Sequence, residues 1–220
     1  MRLNFLSLFF GALVLIGASW LFGGIAEDVV SGDPLTIVDA QLAAWLHSHS
    51  TPRLTQFMLI ISNLHGMLAI SIYALLFGLF LLWRQQRYWL LAVILTVPGG
   101  MLLNVLMKLA FQRVRPGFID PIFTLTTYSF PSGHTAGATL FYGVLAAFLV
   151  AHISMWRWRV SVVAAAILLV ALVGFSRIYL GVHYLSDVLA AGAEGVAWLA
   201  LCLTAIQTLR QRRTVQRLTP

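Results

Sequence analysis

Hydrophobic residues form six long runs along the chain, and polar residues gather between them. The runs cover about residues 3–26, 57–83, 88–107, 134–151, 160–178 and 183–207. Each run approaches or exceeds the roughly 20 apolar residues that a helix needs to cross a hydrocarbon core about 30 Å thick. Transmembrane strands are about half as long and alternate in polarity. The pattern therefore predicts an all-α membrane protein with six transmembrane helices.

The connection between the first two runs contains a further helical pattern. In "DPLTIVDAQLAAWLHS", Asp33 precedes Pro34, which favours the start of a helix, and apolar residues follow at helical spacing. We interpret this segment as a short amphipathic helix on the outer membrane surface. Because no internal repeat, low-complexity segment or linker is evident, residues 1–220 are predicted to form a single membrane domain.

The composition supports a membrane location and argues against a nucleic-acid partner. Hydrophobic residues make up 60% of the 220 positions, charged residues make up 10%, and the mean hydropathy is +0.89. The formal net charge is +7, but the basic residues stand at the ends of the apolar runs rather than on a solvated face. We therefore expect membrane lipids around the protein and no nucleic acid as a partner.

Arginines mark one side of the predicted bundle. They are Arg2, Arg84, Arg87, Arg157, Arg159, Arg210, Arg212, Arg213 and Arg217. The positive-inside rule makes this side cytoplasmic. We expect a location in the cytoplasmic (inner) membrane with both termini in the cytoplasm. We also expect the first helix to stay uncleaved, because its apolar part is longer than a usual signal core.

A second group of basic residues stands at the opposite ends of the helices. Lys108 ends the third run, Arg115 follows it, and Arg177 ends the fifth run. Alternating topology places these positions at the external face, together with the start of the fourth run, where Ser132 and Gly133 lie. Three cations, a glycine-containing turn at a helix N-terminus and a serine hydroxyl suit a dense oxyanion such as phosphate.

Two histidines at the same face are candidates for chemistry on that oxyanion. His183 and Asp187 are four residues apart, so on a helix the carboxylate can accept the proton of one ring nitrogen. The other nitrogen then keeps a lone pair, and the neutral imidazole can act as a nucleophile or as a base. His134, on a different helix, can protonate the leaving oxygen. No metal ion is expected, since Lys108 and the arginines would repel a divalent cation.

These residues fall into three motifs in register on one face. The motifs are K-x6-RP at Lys108 and Arg115-Pro116, PSGH at Pro131 to His134, and SR-x5-H-x3-D at Ser176-Arg177, His183 and Asp187. Together they resemble those of the type 2 phosphatidic acid phosphatase (PAP2) superfamily, and the six-helix plan resembles its bacterial integral-membrane lipid phosphatases. The resemblance covers the third to sixth predicted helices directly.

The resemblance implies a role for each motif residue. It implies that His183 is the nucleophile that forms a phosphohistidine, that Asp187 orients it, and that His134 protonates the leaving group. The phosphate-binding residues implied are Lys108, Arg115, Ser132, Gly133 and Arg177. No cofactor is expected.

The expected activity is hydrolysis of a lipid phosphomonoester or diphosphate at the outer, periplasmic or extracellular, face. A phosphate site at the ends of spanning helices suits an amphiphile whose tail stays in the bilayer. For this family the candidate substrates include undecaprenyl diphosphate, phosphatidylglycerol phosphate, phosphatidic acid and lipid A phosphate. Two alternatives remain: a phosphotransferase that passes the phosphoryl group to a second lipid, and a lipid transporter or flippase that only binds the phosphate.

Several polar residues fall outside the motifs. We interpret His47, His49 and His152 as structural, Arg53 as an interfacial anchor and Arg113 as a contact for lipid headgroups. His65 and Glu194 lie within apolar runs, where ionisable side chains are candidates for function.

Overall fold

The computed structural model describes residues 5–118 and 126–216, with side chains for residues 8–118 and 126–213. Within these ranges the chain forms eight helices and no strand. The helices are α1 (Phe5–Ser31), α2 (Pro34–Ser48), α3 (Pro52–Leu64), α4 (Met67–Trp83), α5 (Arg87–Phe111), α6 (Gly133–His152), α7 (Trp156–Tyr179) and α8 (Leu185–Gln216). Arg2 and Arg217, used above to predict topology, lie outside the described residues.

The prediction of an all-α, multi-pass membrane protein is confirmed. Five of the described helices, α1, α5, α6, α7 and α8, are long and apolar enough to span a membrane. The pair α3 and α4 meets the same criterion jointly, and the described spans number six if this bent pair is one span. The predicted runs thus correspond to the observed spans, although most helices extend a few residues beyond the run.

The second predicted run, residues 57–83, is wrong as a single helix. The chain breaks at His65 and Gly66, and the axes of α3 and α4 differ by 46°. Both nitrogens of the His65 ring are engaged at this break: Nδ1 lies 2.8 Å from the Ile61 carbonyl oxygen and Nε2 lies 2.8 Å from the Tyr142 hydroxyl. These bonds hold His65, the residue at the bend, against α3 and α6.

The segment between the first two runs forms the short helix that the sequence predicts. α2 begins at Pro34 with Asp33 as its N-cap residue, and it packs against α1, α7 and α8. Its buried positions are Asp39, Ala43 and Leu46. The buried stripe of α2 therefore faces the protein, and this stripe contains a carboxylate.

Close approach of three helices is possible because glycines stand at the contacts. A β-carbon on Gly195 of α8 would lie 2.8 Å from Cγ2 of Thr139 in α6, and one on Gly174 of α7 would lie 2.5 Å from Cγ1 of Val188 in α8. Both distances are too short for a real side chain. α6, α7 and α8 thus pack tightly, and their ends lie near one another.

The start of the last helix differs from the prediction. α8 begins at Leu185, so His183 is not its first residue but lies in the turn after α7. Gly181 in this turn has φ = +69°, the left-handed region that glycine adopts without steric cost. This glycine redirects the chain, and His183 is held by the turn rather than by helical geometry.

Candidate active site

The eight site residues predicted from sequence come together at one end of the bundle, where α5 and α7 end and α6 and α8 begin. We call this the site end. Five of them line a cavity of about 510 Å³: Lys108, Arg115, Gly133, His134 and His183. The other three are buried beside it: Ser132, Arg177 and Asp187 are each at most 1% exposed. The convergence predicted from alternating topology is therefore present.

His183 is held in one tautomer by its neighbours. Its Nδ1 lies 3.2 Å from Oδ2 of Asp187, and its Nε2 lies 3.2 Å from Nη1 of Arg115. A guanidinium only donates hydrogen bonds, so Nε2 is the acceptor and Nδ1 carries the proton that Asp187 accepts. The nitrogen with the lone pair therefore belongs to a side chain that lines the cavity.

The protonation state of His183 follows from its burial. Desolvation lowers the pKa of His183 to about 3, against the opposing effects of the hydrogen bond to Asp187 and of that carboxylate's charge. The positive charges of Arg115 and Arg177 lower it further. The imidazole is therefore neutral near pH 7, as a nucleophile requires.

The carboxylate of Asp187 accepts hydrogen bonds on both oxygens. Oδ2 accepts from His183, from the Ser129 hydroxyl and from the backbone N–H of Tyr184, the last at 2.9 Å. Oδ1 accepts from Nη1 of Arg113 at 2.6 Å. Ser129 and Arg113 are thus part of the site, and sequence reasoning missed both.

The position of Arg113 in the sequence suggests a contact with lipid headgroups, but its guanidinium is bonded within the protein. Its Nη2 donates to Oδ2 of Asp39 at 2.9 Å, its Nη1 donates to the hydroxyl of Ser186 at 2.6 Å, and its guanidinium lies 4.3 Å from the centroid of the Tyr184 ring. The interpretation of Arg113 as a headgroup contact is therefore wrong. Asp39 offered a signal, because it interrupts the apolar stripe of α2 and a buried carboxylate requires a partner.

Two of the three cations of the site, the two that line the cavity, are tied to the loop before α6. Nζ of Lys108 donates to the carbonyl oxygens of Tyr128 and Ser129, at 2.9 and 3.2 Å. Arg115 donates to the carbonyl oxygen of Thr127 at 2.6 Å and to that of Tyr128 at 3.1 Å. These bonds fix both side chains beside the cavity.

Arg177 is the third cation, and its hydrogen bonding is incomplete. The side chain is 1% exposed, and Nη1 donates to the Ser62 hydroxyl on α3. Nε and Nη2 are buried without a hydrogen-bond partner among the described residues. Unmet donors on a buried guanidinium are costly, and an anion beside them would satisfy both.

The start of α6 completes the site. Ser132 is the N-cap residue, and its backbone N–H donates to the carbonyl oxygen of Asp187 at 3.0 Å. Its hydroxyl accepts from Thr135 rather than lining the cavity. Gly133 lies against α5: a β-carbon there would be 3.4 Å from Oδ1 of Asn104, an ordinary contact. The N-terminal N–H groups of this helix favour an anion.

The other polar residues noted in the sequence lie outside the cavity lining. Glu194 accepts a hydrogen bond from Nδ2 of Asn104 at 2.9 Å, and Asn104 itself lines the cavity. His49 and His152 each bond a carbonyl oxygen one turn earlier in the chain, and His47 stacks on Phe118 with ring centroids 4.1 Å apart. Arg53 is exposed.

Comparison with known proteins identifies similar chains. The sequence model of the PAP2 superfamily matches residues 87–211. Phosphatidylglycerophosphatase B of Bacillus subtilis is 40% identical over 109 residues, which are 48% of this chain and 52% of that protein. The undecaprenyl-diphosphatase of Sulfolobus acidocaldarius is 27% identical over 136 residues, which are 60% of this chain and 61% of that protein. The chain thus spans about half to three fifths of these relatives.

A solved structure agrees over a longer stretch. The crystal structure of a transmembrane PAP2-type phosphatidylglycerolphosphate phosphatase from Bacillus subtilis has a TM-score of 0.79 and 27% identity. The match covers 86% of this chain and 94% of that chain. The similarity therefore extends beyond the motif-bearing helices to most of the bundle.

Proposed function

The chain belongs to the PAP2 superfamily, and from this premise we propose that it is an integral-membrane lipid phosphatase. It hydrolyses a lipid phosphomonoester or diphosphate through a phosphohistidine intermediate. The observation that carries the proposal is the arrangement at the site end: His183 is a neutral imidazole with its lone pair on Nε2, and a buried Arg177 at the same end of the bundle has two unmet donors. Binding alone needs cations, whereas this arrangement also supplies a nucleophile.

The reaction takes two steps. In the first, Nε2 of His183 attacks phosphorus, the bond from phosphorus to the lipid oxygen breaks, and that oxygen takes a proton from His134. Asp187 stabilises the positive charge that develops on the imidazole through Nδ1–H. In the second, His134 accepts a proton from water as the water oxygen attacks phosphorus, and the N–P bond breaks to release phosphate.

The cations stabilise the charge on the phosphoryl oxygens in both steps. Nε and Nη2 of Arg177 offer two parallel donors, and Lys108 adds a point charge. Arg115 gives up its bond to Nε2 of His183 and donates to the phosphate, which frees the lone pair for attack. Such preorganised donors form the largest contribution to catalysis in many enzymes.

A lipid is the expected substrate because the cavity continues into an apolar groove. The groove has a volume of about 470 Å³, lies between α4 and α5, and shares Met67, Met101 and Gly133 with the phosphate cavity. Apart from His65 and Ser71 its lining is almost wholly apolar. An amphiphile fits both parts, with the phosphate at the cations and the tail along the groove.

A phosphate-release assay on purified protein in detergent tests the proposal. We expect release from at least one of phosphatidylglycerol phosphate, undecaprenyl diphosphate, phosphatidic acid and lipid A phosphate, and little from glycerol 3-phosphate, which has no tail. Release should persist in EDTA, because Lys108, Arg115 and Arg177 supply the positive charge. Loss of activity in EDTA would contradict a metal-independent reaction.

The same assay separates the alternatives. A phosphotransferase would move ³²P from the donor lipid to an added lipid alcohol rather than to inorganic phosphate. A transporter would bind the lipid and release no phosphate. The undecaprenyl and glycerophospholipid names among the relatives favour these substrates as the first to be tried.

The proposed orientation places the site end at the outer face of the cytoplasmic membrane and both termini in the cytoplasm. In a Cys202→Ala background, Gly117→Cys should react with a membrane-impermeant maleimide added to spheroplasts, and Gln86→Cys should react only after permeabilisation. Gly117 suits this test, since a β-carbon there would meet no atom within 4 Å. The reverse labelling pattern would place the active site in the cytoplasm.

A further inference from the structure

A buried chain of charges connects the short helix α2 to the site. Asp39 on α2 and Asp187 on α8 have side chains that are 0% exposed, and the Arg113 side chain between them is 13% exposed. Arg113 joins them through Nη2 to Asp39 at 2.9 Å and through Nη1 to Asp187 at 2.6 Å. Asp39 and Asp187 each lie 74 residues from Arg113 in the sequence, one before it and one after it.

Arg113 binds the oxygen of Asp187 that does not face the histidine. By donating to Oδ1, it leaves Oδ2 for Nδ1 of His183, together with the hydroxyl of Ser129 and the N–H of Tyr184. The two oxygens therefore have separate partners, and rotation of the carboxylate would break bonds on both sides. Loss of Arg113 would remove the bond that restrains the Oδ1 side of this carboxylate.

Asp39 in turn holds Arg113 and the first turn of α8. Its Oδ2 accepts from Arg113, its Oδ1 accepts from the backbone N–H of Ser186 at 2.9 Å, and the Ser186 hydroxyl also donates to it. The guanidinium is further restrained by the Tyr184 ring on one face. Each of these contacts adjoins Asp187 in sequence or in space, so Asp39 links α2 to the start of α8.

We propose that Asp39 and Arg113 are positioning residues that hold Asp187 in the orientation required to fix the tautomer of His183. The inference rests on the proposed role of His183 as the nucleophile. Neither residue touches the phosphate: they are absent from the lining of the cavity, and they act through Asp187. Their removal should therefore slow phosphoryl transfer to His183 and leave substrate binding nearly unchanged.

Electrostatics also couple the three residues. Asp39 and Asp187 are two buried carboxylates that share Arg113 as their cationic partner. Each of them stabilises the charged form of this arginine. Burial by itself lowers the pKa of Arg113, but the charges and hydrogen bonds of Asp187 and Asp39 outweigh that effect and raise it. Lysine at this position would keep the charge but lack the planar donors that reach both carboxylates together.

The test uses Arg113→Lys and Asp39→Asn in the full chain, assayed on the lipid that the panel identifies. The controls are Arg53→Lys and Asp33→Asn, which change exposed residues of the same types near α2. We expect kcat to fall about 100-fold in Arg113→Lys and about 10-fold in Asp39→Asn, since small misplacements of reacting groups have effects of this size. KM should stay within about twofold, and the controls should match the wild type.

The double variant tests whether the two residues act as one unit. Its kcat should be close to that of Arg113→Lys alone, because the second change removes a support that the first has already lost. Additive losses would show two independent effects and would contradict the proposal.

A purely structural role has a different outcome. If the pair only attached α2 to the bundle, the variants would lose folded protein and thermal stability in detergent, while kcat per folded molecule would equal that of the wild type. That result would overturn the inference. His183→Ala measured in parallel separates the two proposals: an active His183→Ala would refute the nucleophile, whereas an inactive one beside fully active Arg113→Lys and Asp39→Asn would refute only the positioning role.

Discussion

Replacement of His183 by alanine is expected to remove turnover of every lipid phosphate, since Nε2 of His183 supplies the lone pair that attacks phosphorus. The loss should be at least about 10⁴-fold, the scale seen when a catalytic nucleophile is removed from a preorganised site. Two measurements check this: phosphate release by the purified variant, and trapping of ³²P on the protein after an alkaline quench. Wild type should retain label, and His183→Ala should retain none.

Asp187→Asn tests the tautomer within the same prediction. An asparagine amide at this position can present a donor to Nδ1 and so favour the tautomer that lacks the lone pair on Nε2, with a loss of about 10⁴-fold while the fold is kept. His152→Ala is the matched control, because His152 lies at the opposite end of α6 and bonds only locally in the described structure. Wild-type phosphate release by folded His183→Ala would refute the phosphohistidine mechanism.

The convergence of these residues at one end of the bundle was predictable, because it follows from the number of spanning helices and from their alternating direction. Helix count follows from the length of the apolar runs, and alternation then places Lys108, His134 and Arg177 at the same end whatever the packing. Residue identity within the motifs adds the chemistry. Neither step requires knowledge of a contact between distant side chains, so errors of a few residues in the helix boundaries do not alter the result.

The bend between α3 and α4 was not predictable by the same argument. Both halves are apolar, so hydropathy over residues 57–83 gives one unbroken signal, and a lone Gly66 is common within membrane helices. The bend depends on the bonds of His65 to Ile61 and to Tyr142, the latter 77 residues away in sequence. Contacts of this kind emerge only from tertiary packing.

The support around Asp187 shows the same limit. Ser129 reaches it across 58 residues and Arg113 across 74. Neither belongs to the motif positions, and Arg113 follows the end of a predicted span, where a headgroup contact is the ordinary interpretation of a basic residue. Asp39 alone carried a chemical hint, because a carboxylate on the apolar stripe of a helix must find a donor when that stripe is buried.

His134→Gln is expected to impair substrates according to their leaving groups. His134 is the second residue of α6 and lines the cavity, and its Nε2 lies near Gly66, where a β-carbon would be 3.8 Å away. Glutamine can still donate a hydrogen bond to phosphate but cannot transfer a proton. A lipid phosphomonoester leaves as a poor alkoxide and should lose about 10³-fold, within the usual range for general acid catalysis.

The informative comparison is with p-nitrophenyl phosphate, whose leaving group departs without a proton and whose reaction should lose less than about 10-fold. The quantity to measure is kcat/KM, which reports the steps up to formation of the phosphoenzyme. It therefore excludes the later hydrolysis, in which His134 acts as a base for both substrates alike. A lipid diphosphate should fall between the two, because its leaving group is itself a phosphate.

His152→Gln provides the control for a histidine outside the cavity. Equal losses on all three substrates would show that His134 contributes only to phosphate binding, and the proton donor would then have to be sought elsewhere in the site.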